Sequence, residues 1–396
     1  MISKSIPRFG REVELLLLAT RPVLTSGDVE GMHSLCSSDL DWDFLYQLAR
    51  RHSLLPLLYH RLKTSHDSIP ISSLHKLRLA YQENVARNLI FADELAELIV
   101  ALEHSGIESI AYKGPVLAKL AYGDAALRRF VDLDVMVRRA DVLRAADVLI
   151  SRGYVPAQDF TGGQQALLLS SQHNLQFTKH GRRLLVELHW QVSSHLFAES
   201  VTAEELWNRL ETVEVNGVEL KTFSIDDLLF SLCVHGSRHL WERLAWIADV
   251  AHLLSRRPEI NWQILLRRAE VTQSERMFLL GVHLAAVLLS APLPDEVRKR
   301  IASDGRLEKL GQDIIRRLFD GPEHHEASAS QIFEYNFRVR TSWRSRFRYI
   351  LFTLVPTERD VGSMKLPARM GFAYYLIRPF RMFSKGQTKT SPGADA

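Results

Sequence analysis

AYKGPVLAKLAYGDAALRRFVDLDVMV, residues 111–137, changes its periodicity twice, and those changes decide the fold. Just before it, Gly106 closes a helix and residues 107–112 form a short β-prone run. Lys113-Gly114 then reads as a strand-to-helix turn, and Pro115, with its fixed φ and no N–H, suits the first position of a helix that runs to about Tyr122. An Arg-rich linker follows, and in residues 130–137 Val131, Leu133, Val135 and Val137 alternate with other residue types, a strand signal. On such a strand Asp132 and Asp134 project from one face while Val131, Leu133 and Val135 pack into the core. Two carboxylates held side by side repel each other unless a cation lies between them, and hard oxygen ligands at this spacing suit Mg²⁺ or Mn²⁺.

Outward from this stretch, residues 1–104 read as an all-helical lead-in, with helical spacing clearest in WDFLYQLARRHSLLPLLYHRL (42–62) and in 86–102. The LLLLA run after Glu14 is too short for an export signal and reads as a helix face. Downstream, a helix over 140–151 is stopped by Gly153. Two β-prone runs, 174–179 and 184–190, then flank His180-Gly181 as a hairpin. Its second strand places Glu187 and His189 on one face, with Val186 and Leu188 opposite. A short helix over 204–210 and a second hairpin over 213–223, turning at Asn216-Gly217, lead to Ser224, which caps a long helix starting at Ile225.

That long helix would carry His235, His239, Glu242, Trp246 and Asp249 on one face, at steps of four, three, four and three. Three readings stay open for this polar stripe: a metal held by His235 and His239, contact of His235, Arg238, His239 and Asp249 with the base or acceptor, or structural pairing. Helical character continues to the end, and 386–396 reads as a disordered Ser/Thr/Gly-rich tail. The expected organisation is a helical region 1–104, a core 105–223, a helical region 224–385 and the tail 386–396, in an α+β fold.

Composition is that of an ordinary globular chain: 396 residues, 46% hydrophobic and 24% charged, which excludes disorder as the default. Cys36 and Cys233 form no CxxC pair, so neither a disulfide framework nor a thiolate metal site is indicated, and a reducing cytoplasm fits best. The longest apolar stretch, 278–293, is interrupted by His283 and Pro292 and predicts no membrane span. The net charge of +4 is uneven, because residues 338–389 carry twelve Lys/Arg against Glu358 and Asp360. Interleaved with Trp343, Phe347, Tyr349, Phe352, Phe372, Tyr374, Tyr375, Phe380 and Phe383, this basic region suits anionic membrane, nucleic acid or an acidic partner; the plainer reading is a basic, solvated outer face.

Each chemical element also has a plain structural reading. A D-x-D on a strand is commonly a solvated edge, a glycine before a helix is commonly a turn, and Glu187 could pair with Arg128, Arg129 or Arg182. Order and spacing together favour chemistry: Asp132, Asp134 and Glu187 can hold divalent metal for phosphoryl transfer, and the Lys113-Gly114 turn adds backbone N–H groups and a cation for a triphosphate.

The 111–137 stretch, with LLVELHW at 184–190, resembles the uncharacterised nucleotidyltransferase family of the polymerase-β superfamily. The matching pattern is Lys113-Gly114, Tyr122, Arg128 four residues before Asp132-x-Asp134, and Glu187-x-His189-Trp190. The likeness runs over about 40–255, with echoes near 374–379. It implies a polymerase-β-type mixed sheet with flanking helices, set between the two helical regions. It further implies that Asp132, Asp134 and Glu187 are catalytic and hold Mg²⁺ or Mn²⁺, with Glu187 helping to deprotonate the acceptor. Lys113, Gly114, Arg128, His189, His235 and His239 become candidates for binding an NTP such as ATP. The acceptor, whether small molecule, peptide, protein or RNA, is not named by any residue. One departure is Pro115, where superfamily members usually have Ser; it supplies neither hydroxyl nor N–H, and Lys113 is the residue placed to compensate. A non-catalytic binding or scaffold protein, and an RNA-modifying toxin, are the alternatives.

Overall fold

The computed structural model describes residues 9–64, 68–158, 162–179, 184–198, 203–320, 327–362, 373–376 and 378. The expected turn at His180-Gly181 and the tail 386–396 lie outside the described residues, as do Phe372, Phe380 and Phe383.

The chain opens with α1 (Arg11–Thr20), α2 (Ser26–Cys36), α3 (Trp42–Arg51), α4 (Leu55–Leu62) and the 34-residue α5 (Ile71–His104). The four-leucine run lies on α1, where Leu15, Leu16 and Leu17 are buried. The 42–62 segment is two helices, because Ser53 takes a left-handed φ of 60° and Pro56 opens α4.

Next come β1 (Ser109–Ala111) and α6 (Gly114–Leu117), which passes into a wider π-helical turn, Ala118–Tyr122. They are followed by β2 (Asp132–Val137), α7 (Val142–Ser151), β3 (Tyr154–Pro156), α8 (Gly162–Ser171), β4 (Asn174–Lys179) and β5 (Leu184–His189). The sheet order is β1-β2-β5-β4-β3. β2 and β5 run parallel and the other neighbours antiparallel, so the sheet is mixed. Because side chains alternate along a strand, one face carries Leu133, Val135, Val137, Val186, Leu188 and Phe177. That face packs on Leu95, Leu98 and Ile99 of α5 and on Val142, Ala145 and Leu149 of α7. The opposite face begins with Ile110 and Met136, which join the helical core, and carries Asp132, Asp134, Glu187 and His189. The expectation that Val131 belongs to the core is corrected: strand pairing starts at Asp132, opposite Leu185, and Val131 is 44% exposed.

After α9 (Ala203–Trp207), β6 (Glu211–Val215) and β7 (Val218–Thr222) form a separate ribbon. It turns at Asn216 and Gly217, whose φ values of 49° and 77° are those of a tight hairpin. Helices then follow: α10 (Ile225–Arg238), α11 (Leu244–Arg256), α12 (Trp262–Val271), α13 (Glu275–Leu289), α14 (Asp295–Ser303), α15 (Gly305–Phe319), α16 (Ala329–Arg338), α17 (Trp343–Leu354) and α18 (Glu358–Gly362). The single long helix expected from Ile225 is corrected to two. The chain breaks after Arg238, with Leu240 and Trp241 at φ of 55° and 53°. The physical reason is packing: the Trp241 ring is fully buried against Gly236 and Gly281, where any Cβ would overlap it. Leu15, Leu16, Leu45 and Leu57 share one core with Leu229, Leu253 and Leu280, so the first helices and α10–α13 pack as one body. Cys36 and Cys233 are both buried and unpaired. Among the described residues no helix is long and apolar enough to cross a membrane.

Candidate active site

The acidic face is placed by three local devices. Parallel pairing sets Asp134 beside Glu187 and Met136 beside His189, so residues from two strands share one patch. Asn84 and Asn88 of α5 reach across to the linker before β2: Asn84 donates to Ala126 O at 3.0 Å, and Asn88 to Ala125 O and Arg128 O at 2.7 and 2.8 Å. Gly114 holds the turn against β2 at φ +53°, and a Cβ there would lie 3.3 Å from Asp132 O. Only glycine meets both the dihedral and the space.

Asp134 is buried, and its Oδ1 accepts from Lys113 Nζ at 3.0 Å and pairs with His189 Nε2 at 3.1 Å. His189 Nε2 also lies 3.3 Å from Glu187 Oε2. Glu187 is oriented from β4, accepting from Asn174 Nδ2 at 3.1 Å and Gln176 Nε2 at 2.8 Å. Asp132, half-buried, has no hydrogen-bond or ion-pair partner among the described residues.

Electrostatics follow from this unequal pairing. Burial alone would raise the Asp134 carboxyl, but Lys113 and His189 outweigh it and hold the group below its usual range. Glu187 behaves likewise: burial opposes ionisation, and the His189 hydrogen bond prevails. Burial disfavours charge on His189 and on Lys113, yet the surrounding carboxylates raise both. Three carboxylates thus face two cations, and the excess falls on Asp132. Burial first, then Asp134 and Glu187, push it up to about 7. A half-buried carboxyl whose charge is unbalanced is the group that a bound cation would relieve.

The donor set fits a divalent ion. Asp134, Glu187 and His189 each offer one ligand atom, all within 4.8 Å of one another. Asp132, expected among the metal ligands, lies on the same sheet face but outside this grouping. The tightest grouping therefore contains His189, which the sequence reading placed with the nucleotide rather than the metal. His189 Nδ1 is buried and unpartnered.

The other candidate residues are placed differently. Arg128 is tied by Nε and Nη2 to Asp249 of α11 at 2.8 and 2.9 Å, and the Tyr122 hydroxyl donates to the same carboxylate at 2.9 Å. Only Arg128 Nη1 is left without a partner. Asp249 thereby latches the linker before β2 onto the helical body. His235 and His239 come together at the end of α10, with rings 4.7 Å apart and both 5.5 Å from the Trp246 ring. Burial lowers both imidazoles, His239 to about 3, so they are neutral groups beside a cationic patch. A small cavity of about 20 Å³ at this corner is lined by Tyr112, Lys113, Ser193, Ser231, His235 and Arg238.

Three residues escaped the sequence reading: His173, Asn174 and Gln176. Asn174 and Gln176 alternate with Leu175 and Phe177 along β4, and that two-residue period was the available signal for a polar face meeting Glu187. His173 accepts from Arg238 Nη1 at 2.9 Å, and its ring lies 6.1 Å from that of His189. Burial and then Arg238 keep its imidazole neutral.

A family model described as an uncharacterised nucleotidyltransferase matches residues 38–290. This is well over half of the chain, which therefore belongs to that family. Comparison with curated proteins and with solved structures returned no match.

Proposed function

We propose that this chain is a divalent-metal-dependent nucleotidyltransferase with a polymerase-β-type core at 105–223, flanked by the helical regions 1–104 and 224–385. It transfers a nucleoside monophosphate from an NTP to an acceptor hydroxyl. The observation that carries this reading is the partnerless Asp132 carboxyl beside Asp134 and Glu187 on one sheet face, in a family named for nucleotidyl transfer. Asp132, Asp134 and Glu187 would hold the cation, which supplies Lewis acidity toward the phosphate oxygens when bound. In the transfer, the acceptor oxygen bonds to the α-phosphorus as the bond to the β-phosphate oxygen breaks, and pyrophosphate leaves. Glu187, kept ionised and oriented by Asn174 and Gln176, takes the acceptor proton. Gly114 lets the phosphates approach the backbone, and Lys113 supplies the positive charge that Pro115 cannot replace with an N–H.

Calorimetric titration of each NTP with Mg²⁺, then with EDTA, into the wild type and Asp132→Ala/Asp134→Ala tests this directly. Metal-dependent binding that vanishes in the variant is the expected result. No binding of any NTP by the folded wild type would transfer the reading to a non-catalytic binding protein. Pro115, and the ion pair by which Lys113 already covers Asp134, favour that alternative.

A further inference from the structure

α17 is twelve residues long and, among the described residues, buries one face. Its inner face buries Ser345 and Tyr349, with the Tyr349 ring 5.6 Å from Phe333 and the Phe352 ring 5.5 Å from Phe197. Its outer face carries Trp343, Phe347, Ile350, Leu351 and Leu354, which are 73, 54, 39, 38 and 38% exposed. Steps of four, three or four, and three or four place these five on one stripe along the helix. On α17 the outward stripe is thus apolar, with the exposed Arg344 beside it. A helix docked on a soluble body is expected to turn polar residues to water, so this stripe is built for contact.

The charge around it selects the partner. α17 contains Arg344, Arg346 and Arg348 and no acid; Arg344 is exposed, and Arg346, whose Nε donates to Arg340 O, stacks over Phe337 at the flank of the stripe. A second copy of the same face would bring like charge against like charge. Nucleic acid could meet the arginines and stack on Trp343 and Phe347, but it would leave Ile350, Leu351 and Leu354 against water. An anionic bilayer meets both demands: its surface potential attracts the arginines, and its headgroup and acyl boundary takes Trp and aliphatic side chains. Twelve residues are too few to span, so the helix would lie in the interface plane.

We propose that α17 docks this protein on anionic lipid bilayers, with Trp343, Phe347, Ile350, Leu351 and Leu354 inserted at the headgroup boundary. The inner side of the same helix leads to the acidic face. The Arg238 guanidinium lies 5.9 Å from the Phe352 ring and donates to His173, which neighbours His189. Docking thus brings the acidic face to within a few side chains of the lipid surface. The inference stands apart from nucleotidyl transfer and is tested without any NTP.

The test is flotation of the full-length protein with vesicles of phosphatidylcholine alone and with phosphatidylglycerol added. The wild type is expected to float with the anionic vesicles, less so at high salt. Phe347→Glu/Leu351→Glu is expected to weaken this by about tenfold or more, since two large apolar side chains no longer transfer from water. Both positions are exposed, and an unchanged circular dichroism spectrum and melting temperature verify the fold. Arg344→Glu should reduce the preference for phosphatidylglycerol with the apolar contact intact. Failure of the wild type to bind anionic vesicles, or equal binding by Phe347→Glu/Leu351→Glu, overturns the proposal. So does light scattering that shows a dimer lost in that variant without vesicle binding, or capture of DNA or RNA in place of vesicles.

Discussion

The two faces of the central sheet use the same strands for opposite ends. On one, Leu133, Val135, Val186 and Leu188 are fully buried against α5 and α7, every group satisfied by contact. On the other, one residue along at each step, Asp132, Asp134 and Glu187 are crowded together with Lys113 and His189, and one carboxyl has no partner among the described residues. The first face holds the fold, and the second is tolerated because the first does so. A cluster of like charges is an expensive way to build a sheet unless a cation is part of the working protein.

The largest expected effect breaks the acidic face. On the nucleotidyltransferase reading, Asp134→Ala should lower turnover by about a thousandfold or more, as loss of a group that stabilises transition-state charge does. Its thermal stability in EDTA should fall below that of the wild type, because Lys113 and His189 lose the carboxylate that offsets their burial. Mg²⁺ should raise the melting temperature of the wild type and leave that of the variant unmoved, by simple mass action. A metal-dependent rise of equal size in both proteins would place the cation elsewhere.

The apolar face should respond in the opposite sense. Leu188→Ala is expected to cost about 2–5 kcal/mol in chemical denaturation, since Leu188 is fully buried and the cavity cannot refill. At a permissive temperature its turnover per folded molecule should stay within about threefold of the wild type, a difference of under about 1 kcal/mol. If turnover instead fell as it does in Asp134→Ala, the division of labour between the faces would be wrong.

A third effect comes from the helical body behind the acidic face. His252 is buried, stacks on Tyr122 at 4.3 Å and hydrogen-bonds Thr20 O at 3.0 Å; burial lowers it to about 4. Its native pKa lies below the unfolded value near 6.5, so between these pH values the unfolded chain binds the extra proton. Stability is therefore complete above about pH 6.5 and is lost as pH falls toward 4, by on the order of 3 kcal/mol from this group. Denaturation midpoints measured from pH 7 to pH 4 should show a shallower decline in His252→Phe, and an unchanged slope would remove His252 from the account.

The contrast between the faces was legible in the sequence because alternation along β2 and β5 is a local property. Leu133 and Val135 against Asp132 and Asp134, and Val186 and Leu188 against Glu187 and His189, needed no knowledge of the partner strand. Parallel pairing of β2 with β5 was not legible, since nothing local sets Asp134 opposite Glu187. The break between α10 and α11 was hidden for a different reason. Leu240 and Trp241, with no glycine or proline beside them, take left-handed backbone because Gly236 and Gly281 vacate room for the indole, and one of those glycines is forty residues downstream. Asp249, expected on the same stripe as His235, instead fastens Arg128 and Tyr122.

The smallest effect sharpens the comparison most, because it separates two residues that the alternating pattern treats alike. Val131 and Leu133 occupy successive inward positions of the pattern, but pairing with β5 begins at Asp132, leaving Val131 44% exposed and Leu133 fully buried. Val131→Ala removes little buried area and should change stability by no more than about 0.5 kcal/mol, whereas Leu133→Ala should cost about 2–5 kcal/mol. Parallel urea melts of the two variants read the difference directly. Equal losses would mean that β2 extends one pair earlier than Asp132 in solution. Val131 would then be covered, and the start of the acidic strand would move with it.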